Sequence, residues 1–160
     1  MNLIVAVDRN WGIGNKGELL VRIPEDLRRF KKLTTGKVVV LGRKTLETFP
    51  DKKPLPNRTN IILTRNTEFK VDGAIVVHSI EELLEELKNY NSDDIFIIGG
   101  QSIYEQMLPY CDAAYITTIQ NVYDADAYFP NLCDLAWKTS ACSEDHEYNG
   151  IKYYFTLFSR

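Results

Sequence analysis

The sequence predicts a single α/β domain spanning residues 1–160, with a central, mostly parallel mixed β-sheet, an antiparallel C-terminal edge and about four flanking helices. Three observations predict it. Short apolar runs unbroken by polar residues recur through the first hundred positions, as in strands covered on both faces. Helical periodicity follows most of these runs, the alternation expected of a parallel sheet. The last third changes style, with longer strand-like runs and an Asn-Gly turn signal, which favours antiparallel pairing.

Each element has its own local cause. Asn2-Leu-Ile-Val-Ala-Val7 is apolar, β-branched and too short for a buried helix, so it reads as a strand. Residues 8–23 read as a flexible loop whose glycines serve turning. Pro24-Glu-Asp26 starts a helix, with proline at the first helical position and acids in the first turn, and the pattern runs to Leu33. Lys37–Leu41, Asn60–Leu63, Ala74–Val77 and Asp94–Ile98 are the further buried strands. Residues 44–48, 79–88 and 102–108 read as helices, the second opened by Ser79-Ile-Glu-Glu82 at capping-box spacing. Asp51-Lys-Lys-Pro-Leu-Pro56 is a loop within the domain, and Ala114–Ile119 is strand-like. Lys138–Cys142 and Lys152–Phe158 form a final antiparallel pair joined through Tyr148-Asn149-Gly150.

Composition removes several classes of function. The net charge of −3 and a pI near 5.4 argue against nucleic acid as a partner, because no basic stripe is present. No apolar run approaches membrane-spanning length, and the N-terminus lacks a signal-peptide pattern, so a cytoplasmic monomer is the expectation. Cys111, Cys133 and Cys142 have neither an even count nor metal spacing and read as reduced. His78 and His146 stand apart with no acid or cysteine at ligand spacing, so no metal site is expected.

Gly12-Ile-Gly14-Asn-Lys-Gly17 matches the G-x-G-x-x-G dinucleotide fingerprint, but its context does not. A strand precedes it, yet the next helix starts at Pro24, too late for its N-terminus to meet a pyrophosphate. The chemistry is better sought beyond the other strand ends, where open α/β sheets bind ligands. Gly42-Arg43-Lys44-Thr45 and Thr64-Arg65 put cations and hydroxyls after two strands, which suits a 2′-phosphate. Either cluster alone also reads as ordinary solvated surface charge. Gly99-Gly100-Gln101-Ser102 lets backbone amides approach a ligand, or simply makes a tight strand-to-helix turn. Asp26 shares a helix face with Phe30, beside Leu27, a place where a carboxylate could anchor a protonated heterocycle. The competing reading is plain complementation of the helix dipole.

Taken together, Ile4–Val7, Gly12–Gly14, Pro24–Lys31, Gly42–Thr45, Leu55–Arg58, Ile98–Gly100 with Tyr104, and Tyr115–Thr117 resemble the dihydrofolate reductase family in order and spacing along nearly the whole chain. The resemblance implies NADPH-dependent reduction of dihydrofolate to tetrahydrofolate, with Asp26 and Thr117 as the catalytic pair. It implies a substrate site of Ile4, Val5, Asp26, Leu27, Phe30, Phe49, Leu55, Arg58, Ile98, Tyr104 and Thr117, in which Arg58 takes a glutamate carboxylate. For NADPH it implies Ala6 and the loop residues Ile13, Gly14, Gly17, Glu18 and Leu19 near the nicotinamide. Gly42, Arg43, Lys44, Thr45, Leu63, Thr64, Arg65 and His78 would lie along the adenosine and its phosphates. Gly99, Gly100, Gln101, Ser102, Ile103 and Tyr104 would lie along the pyrophosphate, with the Gly99–Gly100 bond cis.

The implied reaction is hydride delivery to C6 of the pterin and protonation of N5, with Asp26 the only ionisable side chain on the pterin and a protonated diaminopyrimidine its natural inhibitor. One departure stands out. The family usually reads Leu-Pro-Trp where this chain has Leu19-Leu20-Val21, and valine cannot hold the water that the tryptophan holds. Two rivals remain: a reductase of the same fold acting on another heterocycle, and an NADPH-binding module without turnover.

Overall fold

The computed structural model describes residues 1–160. The elements run β1 Asn2–Val7, β2 Gly12–Asn15, β3 Glu18–Leu19, α1 Pro24–Thr34, β4 Val38–Gly42, α2 Arg43–Leu46, β5 Thr59–Leu63 and β6 Ala74–Val77. They continue α3 Ile80–Leu87, β7 Ile95–Gly99, α4 Gln101–Met107, β8 Ala113–Ile119, β9 Ala127–Tyr128, β10 Lys138–Cys142, β11 His146–Tyr148 and β12 Ile151–Ser159. One nine-stranded sheet has the order β10-β12-β8-β1-β7-β4-β5-β6, with β11 also paired to β12. Every pairing from β8 to β6 is parallel, and those of β12 are antiparallel.

The unbroken apolar runs are explained by cover on both faces. Along β4, Val38 and Val40 pack with Leu3, Ile61, Leu83 and Met107, whereas Val39 and Leu41 pack with Leu46 and Ile62. Each fully buried aliphatic side chain of this kind contributes roughly 1.5–3 kcal/mol. A third cluster of Ile23, Ile119 and Tyr153 seals the start of α1 against β8 and β12.

α1 starts as the sequence predicts, with Pro24 in its first turn and no side-chain cap. It ends where Thr34 and Thr35 turn their hydroxyls back to the Phe30 and Lys31 carbonyls and the chain leaves through Gly36 at φ 79°. At α3, Ser79 Oγ accepts from Glu82 N at 3.0 Å, but the Glu82 carboxylate bonds His78 N and not Ser79 N. The reciprocal bond thus lands one residue earlier than a capping box requires.

Two expectations need correction. Residues 8–23 are not a bare loop, because β2 pairs with both β3 and β9 in a small second sheet. The β2–β3 turn has positive φ at Lys16 and Gly17, 51° and 81°, the backbone pattern of a type I′ hairpin. Strands of four and two residues are too short to leave a periodic signal. At the C-terminal edge, Asn149-Gly150 joins β11 to β12, while β10 pairs with the far half of β12 through a register shift between Thr139 and Ala141. The nine residues of β12 are long enough to pair with both.

Candidate active site

Parallel pairing brings the carboxyl ends of β1, β4, β5, β7 and β8 to one edge of the sheet, and the first turn of α1 lies across the β1 and β8 end. Thr117 on β8 is 2% exposed, sits opposite Ala6 on β1, and donates from Oγ1 to Asp26 Oδ1 at 2.5 Å. Asp26 is therefore more than a helix-end charge: its side chain is tied to the sheet. Burial raises its pKa, an effect opposed by the Thr117 hydrogen bond and the positive Arg29 and reinforced by Glu25.

The walls beside this carboxylate are apolar. Leu27 is 40% exposed and Phe30 half-buried on the same helix. Phe49, Leu55 and Ile98 pack together against the Val39, Leu41, Leu46 and Ile62 cluster. Ile4 and Val5 are half-buried in β1, and the Ile4 carbonyl accepts from Tyr104 Oη at 2.8 Å. Tyr104 is 3% exposed, and burial drives its phenol pKa far upward, so it remains a neutral donor. Arg58 donates from Nε to the Pro56 carbonyl at 2.9 Å and from Nη1 to Thr34 Oγ1 at 3.1 Å. Those bonds aim the guanidinium and leave Nη2 free for a carboxylate.

A second group lies at the ends of β4, β5 and β7. Gly42, Arg43, Lys44 and Thr45 carry β4 directly into α2, one residue earlier than the sequence predicts. Arg43 Nε is 3.5 Å from Glu47 Oε1, and Lys44 is exposed. Next to it, Leu63 closes β5, Arg65 is exposed, and the Thr64 carbonyl lies 2.9 Å from His78 Nδ1. The Gly99–Gly100 peptide is cis. A Cβ on Gly99 would meet the Tyr104 ring and one on Gly100 would meet Thr45 Oγ1, each at 3.4 Å, so the glycines leave a cradle between β4 and β7. Ser102 is exposed and Ile103 buried, its side chain 3.2 Å from a Cβ built on Gly42. Gln101 spends its side chain on Tyr128 N and Glu105, which leaves only its backbone for a ligand.

Above the β1 end lies the small second sheet. Ile13 packs on the main core, Gly14 pairs with Leu19, Glu18 closes the hairpin with Asn15, and Gly17 makes the turn. Leu19 is 47% exposed. Asp126 holds the sheet to the segment before β9: its amide donates to the Gly14 carbonyl and its carboxylate accepts from Lys16 N, both at 3.0 Å.

Four residues important to this geometry were not singled out from the sequence. Asp8, 1% exposed, accepts from Asn10 N, Gly12 N and Tyr123 N at 2.8–3.0 Å and roots the loop. Asn60, 2% exposed, bonds both the N–H and the C=O of Leu55 at 2.9 Å and fixes that wall. Arg29 lies over the Phe155 ring, and the Tyr123 hydroxyl is buried without a partner. For Asp8 and Asn60 a polar residue following a strand or near its start was the only available signal, and it is common; Arg29 inside α1 and Tyr123 between β8 and β9 carried none.

The Leu20-Val21 departure has a structural outcome. Val21 joins Ala6, Tyr123 and Phe155 around the Ile23, Ile119 and Tyr153 cluster. Trp11 belongs elsewhere, stacked on Phe129 at 6.2 Å and tilted to Phe158 at 6.3 Å in the main core. It does not fill the place of the missing tryptophan. A recess of about 610 Å³ between Leu84, Tyr90, Tyr110 and Arg160 shares no residue with this constellation.

A family model for dihydrofolate reductase matches residues 1–160. The dihydrofolate reductase of Staphylococcus aureus strain Mu50 is 39% identical over 144 residues, covering 90% of this chain and 86% of that protein. That of Bacillus subtilis strain 168 is 33% identical over 162 residues, covering 100% and 94%. A solved dihydrofolate reductase from Enterococcus faecalis, complexed with NADP(H) and RAB-propyl, superposes with a TM-score of 0.88 at 32% identity, covering 99% of this chain and 95% of that one. The fold, the strand-end constellation and these matches agree: the chain belongs to the dihydrofolate reductase family.

Proposed function

We propose that the chain reduces 7,8-dihydrofolate to 5,6,7,8-tetrahydrofolate with NADPH, and that the residues gathered above carry the reaction. The observation that supports this most directly is the Asp26–Thr117 pair, a partly buried carboxylate flanked by apolar walls at the end of β1 and β8. Family membership makes the chain an NADPH-dependent oxidoreductase. Tetrahydrofolate so formed would feed one-carbon transfer.

The residues present fit the cofactor. The Gly99–Gly100 cradle, which side chains would fill, adjoins the Arg43, Lys44 and Arg65 cations at neighbouring strand ends, a match to pyrophosphate and 2′-phosphate. When bound, NADPH supplies a hydride for C6 of the pterin, and N5 takes its proton from solvent. Asp26 accepts hydrogen bonds from the pterin's N3 and 2-amino groups, and Thr117 holds that carboxylate in place. Leu27, Phe30, Phe49 and Leu55 exclude water and align the ring system. Arg58 pairs with the glutamate carboxylate through its free Nη2 edge. The hairpin of β2 and β3 covers the nicotinamide side. Val21, packed against the Ile23, Ile119 and Tyr153 cluster, offers no N–H of the kind the family's indole supplies, so the proton for N5 comes from solvent without that donor. A cytoplasmic monomer acting on small molecules fits this role.

The test is NADPH oxidation with dihydrofolate as a function of pH, in the parent protein and in Asp26→Asn. Turnover that collapses in the variant and partly recovers in acid supports the reading. Cofactor binding without turnover would favour a different heterocycle or a non-catalytic module.

A further inference from the structure

α1 carries two opposite charges one turn apart, Asp26 and Arg29, on the face turned to the sheet. Asp26 takes its protein hydrogen bond from Thr117 and not from Arg29. Arg29 is instead laid on aromatic rings, its Cζ 4.3 Å from the centroid of Phe155 and 5.8 Å from that of Tyr115. Phe155 and Thr117 are cross-strand partners on β12 and β8, and Tyr115 lies two residues before Thr117. The same strands therefore fix both the carboxylate and the cation. A guanidinium on ring faces is held by the quadrupole and by loss of water, and it cannot swing out without giving up both contacts.

We propose that Arg29 is a specificity-determining residue of the site: a fixed cation that balances the Asp26 charge and biases the pocket toward ligands that bind uncharged. The proposal rests on the reading of Asp26 as the heterocycle-binding carboxylate. A neutral heterocycle meets Asp26 through hydrogen bonds and feels Arg29 weakly. A heterocycle bound as a cation gains the carboxylate but is repelled by a guanidinium that cannot retreat. The surrounding ionisable groups do not replace Arg29. Glu25 on α1 adds negative charge beside Asp26, and it is occupied by the Tyr153 hydroxyl at 3.1 Å and lies 3.4 Å from His146 Nδ1 on β11. Tyr104 on α4 and Tyr153 on β12 both feel the Asp26 charge, and burial raises the pKa of each, so both are neutral. Tyr115 on β8 lies beneath Arg29, and Arg28 acts on Tyr153. Among these groups Arg29 alone is a cation that lowers the Asp26 pKa.

The test compares Arg29→Met, which keeps a long apolar stem, with Arg29→Lys, which keeps the charge. Carbon-13 NMR of the carboxyl groups, with Asp26 assigned through Asp26→Asn, follows its titration in the ligand-free protein. Calorimetry at pH 7 gives the Kd of 2,4-diamino-5-(3,4,5-trimethoxybenzyl)pyrimidine, which binds as a cation, for comparison with the dihydrofolate KM. Expected is a rise of the Asp26 titration in Arg29→Met but not in Arg29→Lys. The ratio of inhibitor Kd to substrate KM should fall on the order of tenfold in Arg29→Met, as for a unit charge acting across a partly solvated site, and return toward the parent in Arg29→Lys. An unmoved Asp26 titration, or equal losses of both ligands in both variants, overturns the proposal. Absence of dihydrofolate turnover in the parent would instead overturn the functional reading, and the ligand-free titration would still decide whether Arg29 sets the charge of Asp26.

Discussion

Replacing Asp8 by asparagine should detach two loops from each other while leaving the sheet in place. Asp8 Oδ1 accepts from Asn10 N and Gly12 N, and Oδ2 accepts from Tyr123 N at 3.0 Å. Asparagine keeps the volume and one oxygen. With that oxygen on Asn10 and Gly12, its NH₂ faces the Tyr123 N–H, so one hydrogen bond to a charged acceptor is replaced by two opposed donors. The flipped amide would oppose two N–H groups and is worse. Losing a hydrogen bond to a charged group costs about 1.5–3 kcal/mol. For a domain of this size a loss of 1 kcal/mol lowers Tm by about 2–4 °C, so Asp8→Asn should unfold roughly 3–12 °C below the parent. Circular dichroism gives the Tm, and amide hydrogen exchange locates the damage. Exchange at Tyr123 should accelerate more than at Gly12, because only the former bond is lost. A Tm within about 1 °C of the parent, with Tyr123 equally protected, would refute the view that Asp8 ties the two loops.

Three further outcomes are expected. Because burial raises the Asp26 pKa, its ionised form destabilises the folded state. That cost is absent well below pH 3.8, the ordinary Asp value, and is complete above the raised folded pKa. Ligand-free Asp26→Asn should therefore be more stable than the parent at pH 7, by about 1.4 kcal/mol for each tenfold change in ionisation, with the gain shrinking toward pH 4; thermal melts across pH check this. Asn60→Ala leaves both polar groups of the Leu55 backbone unpaired, at about 1–3 kcal/mol for each one that stays dry, and steady-state kinetics should show KM for dihydrofolate rising more than kcat falls. Arg43→Ala and Arg65→Ala should each weaken NADPH by roughly ten- to hundredfold through a lost charge-assisted bond while sparing NADH; an equal loss for the two cofactors in fluorescence titrations would remove the 2′-phosphate assignment.

The strands were readable because a doubly covered parallel strand must be apolar on both faces, and Val38–Leu41 and Ile95–Ile98 leave no other reading. α1 was readable from Pro24 and its acids for the same local reasons that form it. The second sheet was not, since β2, β3 and β9 are held by a two-residue turn and by a pairing across more than a hundred residues, neither of which leaves periodicity in the chain. Asp26 was readable as a candidate, and the family resemblance gave it a role. Its partner Thr117 came from the resemblance alone, because a threonine inside a strand carries no distinguishing pattern. Arg29, Asp8 and Asn60 were invisible because their roles depend on the folded backbone: Arg29 rests on the distant Phe155, Asp8 joins its own turn to Tyr123, and Asn60 bonds backbone groups of Leu55 that only the loop's conformation brings to it, so as isolated residues they look like a helix-surface cation, a turn acid and a strand-end amide.

The strand β12 has a consequence for how the molecule comes together. Phe155 supports Arg29 and pairs with Thr117, and Tyr153 reaches Glu25 across 128 positions, while Thr117 reaches Asp26 across 91. Contacts so far apart in the chain are among the slowest to be closed during folding. A chain collapsed only as far as β8 would already hold Asp26 and Thr117, yet Arg29 would have Tyr115 without the nearer Phe155 ring, and the start of α1 would have Ile119 without Tyr153 behind it. The site's support is thus complete only once β12 is in place. A bound ligand then stabilises the finished molecule against its partly built forms as well as against the unfolded chain.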